Sequence, residues 1–266
     1  MSDAARPFAT AAPHYLRGRL PYSAQLGDVM AAEIGLDGTG TLLDVGCGPG
    51  VLAVQLAPLF DTVFGIDPEP EMLAHARRHA ADHDVTATWI EARAEDLATL
   101  DLPGPRLVTF GQSIHWTDRQ PVLGMVHELL VSGGSVALIA PALEHGSPPD
   151  DPPAPPIPHD QIEALLGRLL GWSPTPRVDT YEASLEQSPF GESHVAFAPG
   201  RSDIVRTTDE VMSGYLSTSF ASPDRFGDRL DTFVDEMRTL LTDVSPAGVF
   251  HVWPGDTAVV WATKHS

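Results

Sequence analysis

Asp44, Gly46, Gly48, Gly50, Asp67 and His115 are the residues whose types and spacing suggest chemistry. In Leu42-Leu43-Asp44-Val45-Gly46-Cys47-Gly48-Pro49-Gly50 a short apolar run meets an acid and then breaks into glycines at alternate positions. An apolar stretch with helical character, residues 51–59, follows at once. Strand, tight turn and helix start therefore succeed one another. Glycines suit such a turn because a Cβ would forbid its backbone angles and hold a ligand away from the main chain. The unpaired N–H groups of the helix's first turn add a mild positive potential at the same spot. Asp67 closes a second apolar run, residues 62–66, and an acid at that strand end can accept hydrogen bonds from two ribose hydroxyls. His115 follows a fourth run, residues 106–110; its imidazole can take a proton near neutral pH, or it can serve with Trp116 as a pocket wall.

A G-x-G-x-x-G turn in this position would indicate a dinucleotide. The spacing here is G-x-G-x-G, and Val51 stands where the dinucleotide pattern has its third glycine. With Asp44 ahead of the first glycine, the stretch resembles motif I of the class I S-adenosylmethionine (SAM)-dependent methyltransferases, and the chain is similar to small-molecule enzymes of the broad UbiE/trans-aconitate methyltransferase-like type. The resemblance implies that Gly46, Cys47 and Gly48 pass under the methionine part of SAM while Asp44 orients its ammonium group. Ile66-Asp67-Pro68-Glu69-Pro70-Glu71-Met72-Leu73 is similar to the family's next run, which implies Asp67 and Pro68 at the ribose and Met72 on the adenine.

Further along, Glu91-Ala92-Arg93-Ala94-Glu95-Asp96-Leu97 resembles the family's G-D-A-E-D-L stretch, implying that Ala94 supplies backbone and Glu95 or Asp96 a polar contact to the adenine edge. Arg93 stands where relatives often have an aspartate, so Glu95 is left to contact the adenine amino group. The loop Gly111-Gln112-Ser113-Ile114-His115-Trp116 resembles the family loop that faces the sulfonium methyl, with Gln112 at the cofactor. Tyr15, Arg19, Pro21 and Tyr22 match a Y-x-x-x-R-x-P-Y segment of similar enzymes. That match implies Arg19 on the methionine carboxylate, Tyr15 over the reacting end and Tyr22 behind it. A guanidinium fork suits a carboxylate physically. His115, Tyr15 and Tyr22 are then the side chains expected beside the acceptor.

The elements that must position these residues can be traced from periodicity. Strands are expected at 41–45, 62–66, 85–90, 106–110 and 135–140, and helices at 23–34, 51–59, 69–81, 121–131, 161–170, 208–220 and 225–241. Residues 248–262 predict two apolar strands joined by a Pro-Gly-Asp turn. The resemblance implies an α/β fold, a Rossmann-like seven-stranded doubly wound sheet of order 3-2-1-4-5-7-6 with strand 7 antiparallel and with that hairpin completing it. A single domain over 1–266 is expected, with residues 1–36 as an N-terminal lid arm and 142–240 as a cap insertion for substrate specificity. Ser147 to Pro156 lacks periodicity and is expected to be an exposed, mobile excursion. Residues 178–197 are expected to be irregular or partly extended within the cap, and His251 and Trp253 to be packing residues.

Bulk properties narrow the partners. The chain has 266 residues, 42% of them hydrophobic, enough for one substantial core. It carries a net charge of −20 and a pI near 4.7. Such a surface repels phosphate backbones and anionic lipid, so no nucleic acid and no membrane are expected as partners. A single cysteine, Cys47, excludes an internal disulfide. Neither a membrane span nor an apolar signal-peptide core is visible, which predicts a cytoplasmic protein, monomeric or homodimeric, with no metal. The expected activity is transfer of the SAM methyl group to carbon, oxygen or nitrogen of a small-molecule acceptor, in specialised metabolism. The alternatives are a SAM-binding protein that runs a non-methylating reaction such as a cyclisation, and a protein or tRNA methyltransferase.

Overall fold

The computed structural model describes residues 10–173 and 180–265. Residues 1–9, part of the stretch expected to lack a signal-peptide core, lie outside the described residues, as do 178–179, where the irregular stretch was placed. Two compact units are formed: residues 22–142, 180–200 and 256–265 make one, and residues 10–21, 143–173 and 201–255 make the other.

The strands are β1 (Thr41–Val45), β2 (Thr62–Asp67), β3 (Thr88–Glu91), β4 (Leu107–Gly111), β5 (Ser135–Ala142), β6 (His194–Ala198), β7 (Ile204–Thr207), β8 (Val249–Val252) and β9 (Asp256–Thr263). The first unit is an α/β, Rossmann-like fold around a seven-stranded sheet of order β3-β2-β1-β4-β5-β9-β6. β1 to β5 run parallel, and β9 is antiparallel to both of its neighbours. The form of the expected order is present, with the last antiparallel strand inserted one place from the edge.

The identity of one strand corrects the sequence reading. The edge strand is β6, from the stretch expected to be irregular or partly extended. Residues 249–252 pair instead with β7 in a separate two-stranded sheet. The Pro-Gly-Asp turn is compatible with a local hairpin, but pairing follows burial. Phe250 is fully buried in the core of the second unit, whereas Val259 and Trp261 enter the core of the sheet.

Why the inner strands are near-continuous apolar runs is clear from their burial on both faces. Leu43, Val45, Val108, Phe110, Val136 and Leu138 pack on one side with the helix Arg119–Leu129. Leu42, Val63, Leu107, Ala137 and Ile139 pack on the other with the helices Leu26–Ile34 and Val51–Leu56. On this second face the register aligns one row across all seven strands: His194, Trp261, Ala137, Thr109, Asp44, Gly65 and Trp89. Asp44 is the single acid in that row, and it lies on β1, an inner strand between β2 and β4.

The second unit packs the helices His159–Leu170, Thr208–Leu216 and Leu230–Val244 around Phe226, Phe233, Met237 and Phe250. Helix Ala12–Gly18 lies directly on helix Thr208–Leu216, because a Cβ on Gly18 would come within 2.2 Å of the Ser213 carbonyl carbon. The Pro-rich excursion is largely exposed yet not wholly loose: the Pro155 carbonyl accepts from the His251 amide at 2.9 Å. Among the described residues no helix is long and apolar enough to cross a membrane.

Candidate functional site

Gly46, Gly48 and Gly50 all have positive φ, at 65°, 53° and 77°. Each of the three meets a different constraint. A Cβ on Gly46 would lie 2.6 Å from Ser113 Cβ, and one on Gly50 would lie 2.6 Å from the Trp89 ring. A Cβ on Gly48 would project into open space, so here the backbone itself is accessible to a ligand. The turn is held to β2 by the Cys47 amide, which donates to the Ile66 carbonyl at 3.0 Å.

Asp44 is 1% exposed. Thr109, opposite it in the register, donates its hydroxyl to Oδ1 at 2.7 Å, while Oδ2 is buried without a hydrogen-bond partner. Burial pushes its pKa up to about 7, with the Thr109 hydroxyl and then the Ala53 backbone amide opposing and the nearby Asp67 charge adding to the shift. A buried carboxylate with one unused oxygen is a site for a cation or a strong donor. Burial, followed by the neighbouring Asp67 and Asp44 charges, also holds the Cys47 thiol well above its ordinary pKa, so it is not a reactive thiolate.

Asp67 closes β2 beside the turn. Its Oδ2 accepts from the Gly48 amide at 2.8 Å and its Oδ1 from the Glu69 amide at 2.9 Å. Burial raises its pKa, with those two amides pulling the other way. Each oxygen retains a second lone pair, and the carboxylate plane is fixed, so a pair of adjacent hydroxyls can be received without reorganisation. Pro68 is exposed next to it, and Met72, 2% exposed, is buried on the helix Pro70–Asp82. After β3, Ala94 is buried at the start of a short 3-10 turn. The exposed Glu95 accepts from the Asp118 amide at 3.2 Å and pairs with Arg93 at 3.4 Å. Arg93, the residue that departs from the family pattern, is thus the partner of Glu95.

The loop after β4 begins with a strained residue. Gln112 has φ of 55°, uncommon for a side chain of its size, and its amide donates to the Ile139 carbonyl. Ser113 donates its hydroxyl to the Val45 carbonyl at 2.5 Å, fastening this loop to the start of the glycine turn. His115 and Trp116 project outward with ring centroids 5.2 Å apart, and Trp116 is 49% exposed. Tyr22 joins this group: its hydroxyl lies 2.6 Å from where a Cβ on Gly111 would be.

Twelve of the expected residues therefore belong to the sheet unit: eleven at or just beyond the carboxyl ends of β1, β2, β3 and β4, and Tyr22, joined to them through Gly111. Tyr15 and Arg19 belong to the second unit. There the Arg19 guanidinium stacks 5.1 Å from the Tyr15 ring centroid and donates to the Ser217 carbonyl at 3.1 Å. Its Nε is buried with no partner. Sequence reasoning missed Gly65, Trp89, Thr109 and Ser113. A glycine in mid-strand was an available signal, since it marks a close approach by another group.

The donor set suits a cofactor carrying an ammonium group and a ribose diol: an orphaned buried oxygen on Asp44, an open backbone at Gly48 and a fixed carboxylate on Asp67. Among the described residues no three His, Cys, Asp or Glu side chains gather as a metal site. Residues 42–134 match the family model described as a methyltransferase domain. A probable SAM-dependent methyltransferase of Saccharomyces cerevisiae is 31% identical over 36% of this chain and 34% of its own. A ubiquinone biosynthesis O-methyltransferase of Pseudomonas paraeruginosa is 37% identical over 37% of this chain and 43% of its own. The chain thus spans less than half the length of these curated relatives. Among solved structures, a putative type II methyltransferase of Anaeromyxobacter dehalogenans aligns at TM-score 0.52 and 20% identity, covering 92% of this chain and 96% of its own. The [4+2]-cyclase SpnF aligns at TM-score 0.54 and 16% identity, covering 97% and 94%. At such identities these two likenesses concern the fold alone.

Proposed function

We propose, from the match of residues 42–134 to a methyltransferase-domain model, that this chain is a class I SAM-dependent methyltransferase and transfers the methyl group of SAM to a small-molecule acceptor. The observation that carries this reading is the glycine turn with an accessible backbone at Gly48, flanked by Asp44 with an unused buried oxygen and Asp67 with a carboxylate pinned by two amides. When bound, SAM supplies an electrophilic methyl group on a sulfonium. The protein's task is then alignment, since methyl transfer needs an aligned nucleophile more than an acid or base.

In this reading Asp44 receives the ammonium group through Oδ2, and Asp67 receives the ribose hydroxyls. Met72, Ala94 and Glu95 border the adenine, and Gly46, Cys47, Gly48, Pro68 and Gln112 lie along the cofactor. Tyr22 and His115 face the acceptor, and His115 can accept its proton if the nucleophile must be deprotonated. Arg19 and Tyr15 take the roles of carboxylate partner and cover on the strength of their chemistry and the motif they match. The second unit acts as the specificity-bearing part. Acceptors of low molecular mass are favoured by the net charge of −20, which disfavours nucleic acid, and by the curated relative named for ubiquinone biosynthesis.

Calorimetric titration with S-adenosylhomocysteine, with NAD as a control and Asp67→Ala as the site variant, tests the reading. Micromolar binding lost in the variant is expected, followed by transfer of label from methyl-labelled SAM to a small acceptor. Binding of NAD in place of S-adenosylhomocysteine would return the turn to the dinucleotide class.

A further inference from the structure

We infer that Trp89 is a positioning residue for the cofactor turn, setting the glycine backbone from the helix-covered face of the sheet. The inference rests on the function proposed above. Trp89 is on β3, the edge strand, at the end of the row that contains Asp44. Its neighbour in that row is Gly65, and a Cβ there would come within 2.4 Å of the Trp89 ring. The absence of a side chain on β2 lets the indole lie flat across that strand instead of standing off the sheet. Neighbouring strands are about 4.8 Å apart, and an indole reaches farther than that, so a ring laid over β2 extends towards the loop that follows β1.

The ring tip does so. A Cβ on Gly50 would lie 2.6 Å from Trp89 Cη2 and 3.2 Å from the Cβ of Ala76, on the helix that carries Met72. The position that a Gly50 side chain would take is therefore occupied from two sides. The ideal Cβ of Gly65 is also 3.0 Å from Cys47 Sγ, so the middle of the turn rests on the same strand. One indole consequently abuts β2 and the last glycine of the turn, and the helix Pro70–Asp82 also reaches that glycine through Ala76. Gly65 yields its side-chain volume to Trp89, and Gly50, already favoured as glycine by its φ of 77°, yields its own to Trp89 and Ala76. A residue that only filled core volume would not reach from the edge strand over Gly65 to the last glycine of the turn.

The test compares Trp89→Leu, Trp89→Phe and the unaltered protein for S-adenosylhomocysteine affinity by calorimetry at a temperature well below each unfolding midpoint. Trp89→Leu is expected to weaken binding at least tenfold and Trp89→Phe, which retains an aromatic plane, less than threefold. Intrinsic fluorescence is expected to change on binding in the unaltered protein and to change less in Trp89→Phe. A lowered unfolding midpoint with unchanged affinity in Trp89→Leu would overturn the inference, because simple packing would account for it. If Trp89→Leu fails to fold, Trp89→Phe and Trp89→Tyr decide the matter by the fluorescence response, and no difference from the unaltered protein overturns it. Failure of the functional reading looks different, since the unaltered protein would then not bind S-adenosylhomocysteine in an Asp67-dependent way.

Discussion

Asp44 shows how a single residue can be costly to the fold and suited to a ligand. In the unfolded chain it titrates near 3.8, and burial lifts this to about 7 in the folded protein. Because the folded pKa is the higher one, the stability linked to its proton is fully present below pH 3.8 and is lost as pH rises through 7. The ceiling on that loss is about 4 kcal/mol, from roughly three pKa units. Asp44→Asn keeps an acceptor for the Thr109 hydroxyl and removes the charge. The variant is expected to be more stable than the unaltered protein at pH 8 by about 2 kcal/mol, after allowing for an unsatisfied amide. That advantage should vanish towards pH 4. Urea unfolding at the two pH values checks both the sign and the trend. A variant that is stabler yet binds S-adenosylhomocysteine at least tenfold more weakly would mark Asp44 as retained for the ligand. Binding itself should strengthen as pH rises from 6 to 8, since a cation is received by the ionised form; calorimetry across that range measures it.

At the scale of elements, one glycine contact and one arginine show how pieces of chain are held against one another. In the sheet unit, Gly65→Ala would force a Cβ to 2.4 Å from the Trp89 ring. Overpacking of this kind costs about 1–3 kcal/mol, and adding Trp89→Leu should return part of it, giving a favourable coupling in a double-mutant cycle read by thermal unfolding. In the second unit, helix Ala12–Gly18 is fastened at its end. Arg206 donates to the carbonyls of Arg17 at 3.3 Å and Arg19 at 3.0 Å, and pairs with Glu210, whose carboxylate also completes the capping box with Thr207. Those two carbonyls are among the ones a helix end leaves unpaired, and a half-buried guanidinium satisfies both. Arg206→Ala should therefore cost about 2–3 kcal/mol and raise amide exchange over residues 12–19 before the rest of the unit. Uniform exchange across the unit would show that the segment is not separately fastened.

For the molecule as a whole, a net charge of −20 is a store of self-repulsion. Salt screens exposed charges beyond about 10 Å at 0.1 M, so the unfolding midpoint is expected to rise between 10 and 200 mM sodium chloride, a change differential scanning calorimetry can follow. A flat or falling midpoint would show that local ion pairs, such as Arg106 with Asp37, outweigh the global repulsion.

Much of the sheet was legible because its strands are local apolar runs: Thr41–Val45, with Asp44 inside it and the three glycines after it, needs only the alternation of residue types along one stretch of chain. Periodicity could not choose strand partners, as the exchange of residues 249–252 for 194–198 at the sheet edge shows. Pairing is settled by which distant surface buries Phe250 or Trp261. The same limit hid Trp89, Gly65, Thr109 and Ser113, whose side-chain or close-approach partners at the site all lie far off in sequence. Sequence alone determined the chemistry on offer, because side-chain type and turn-forming glycines are local properties. The tertiary structure alone decided which oxygen of Asp44 is left unused, which amides fix Asp67 and which glycines make room for an indole, because burial and cross-strand register exist only once the chain has closed on itself.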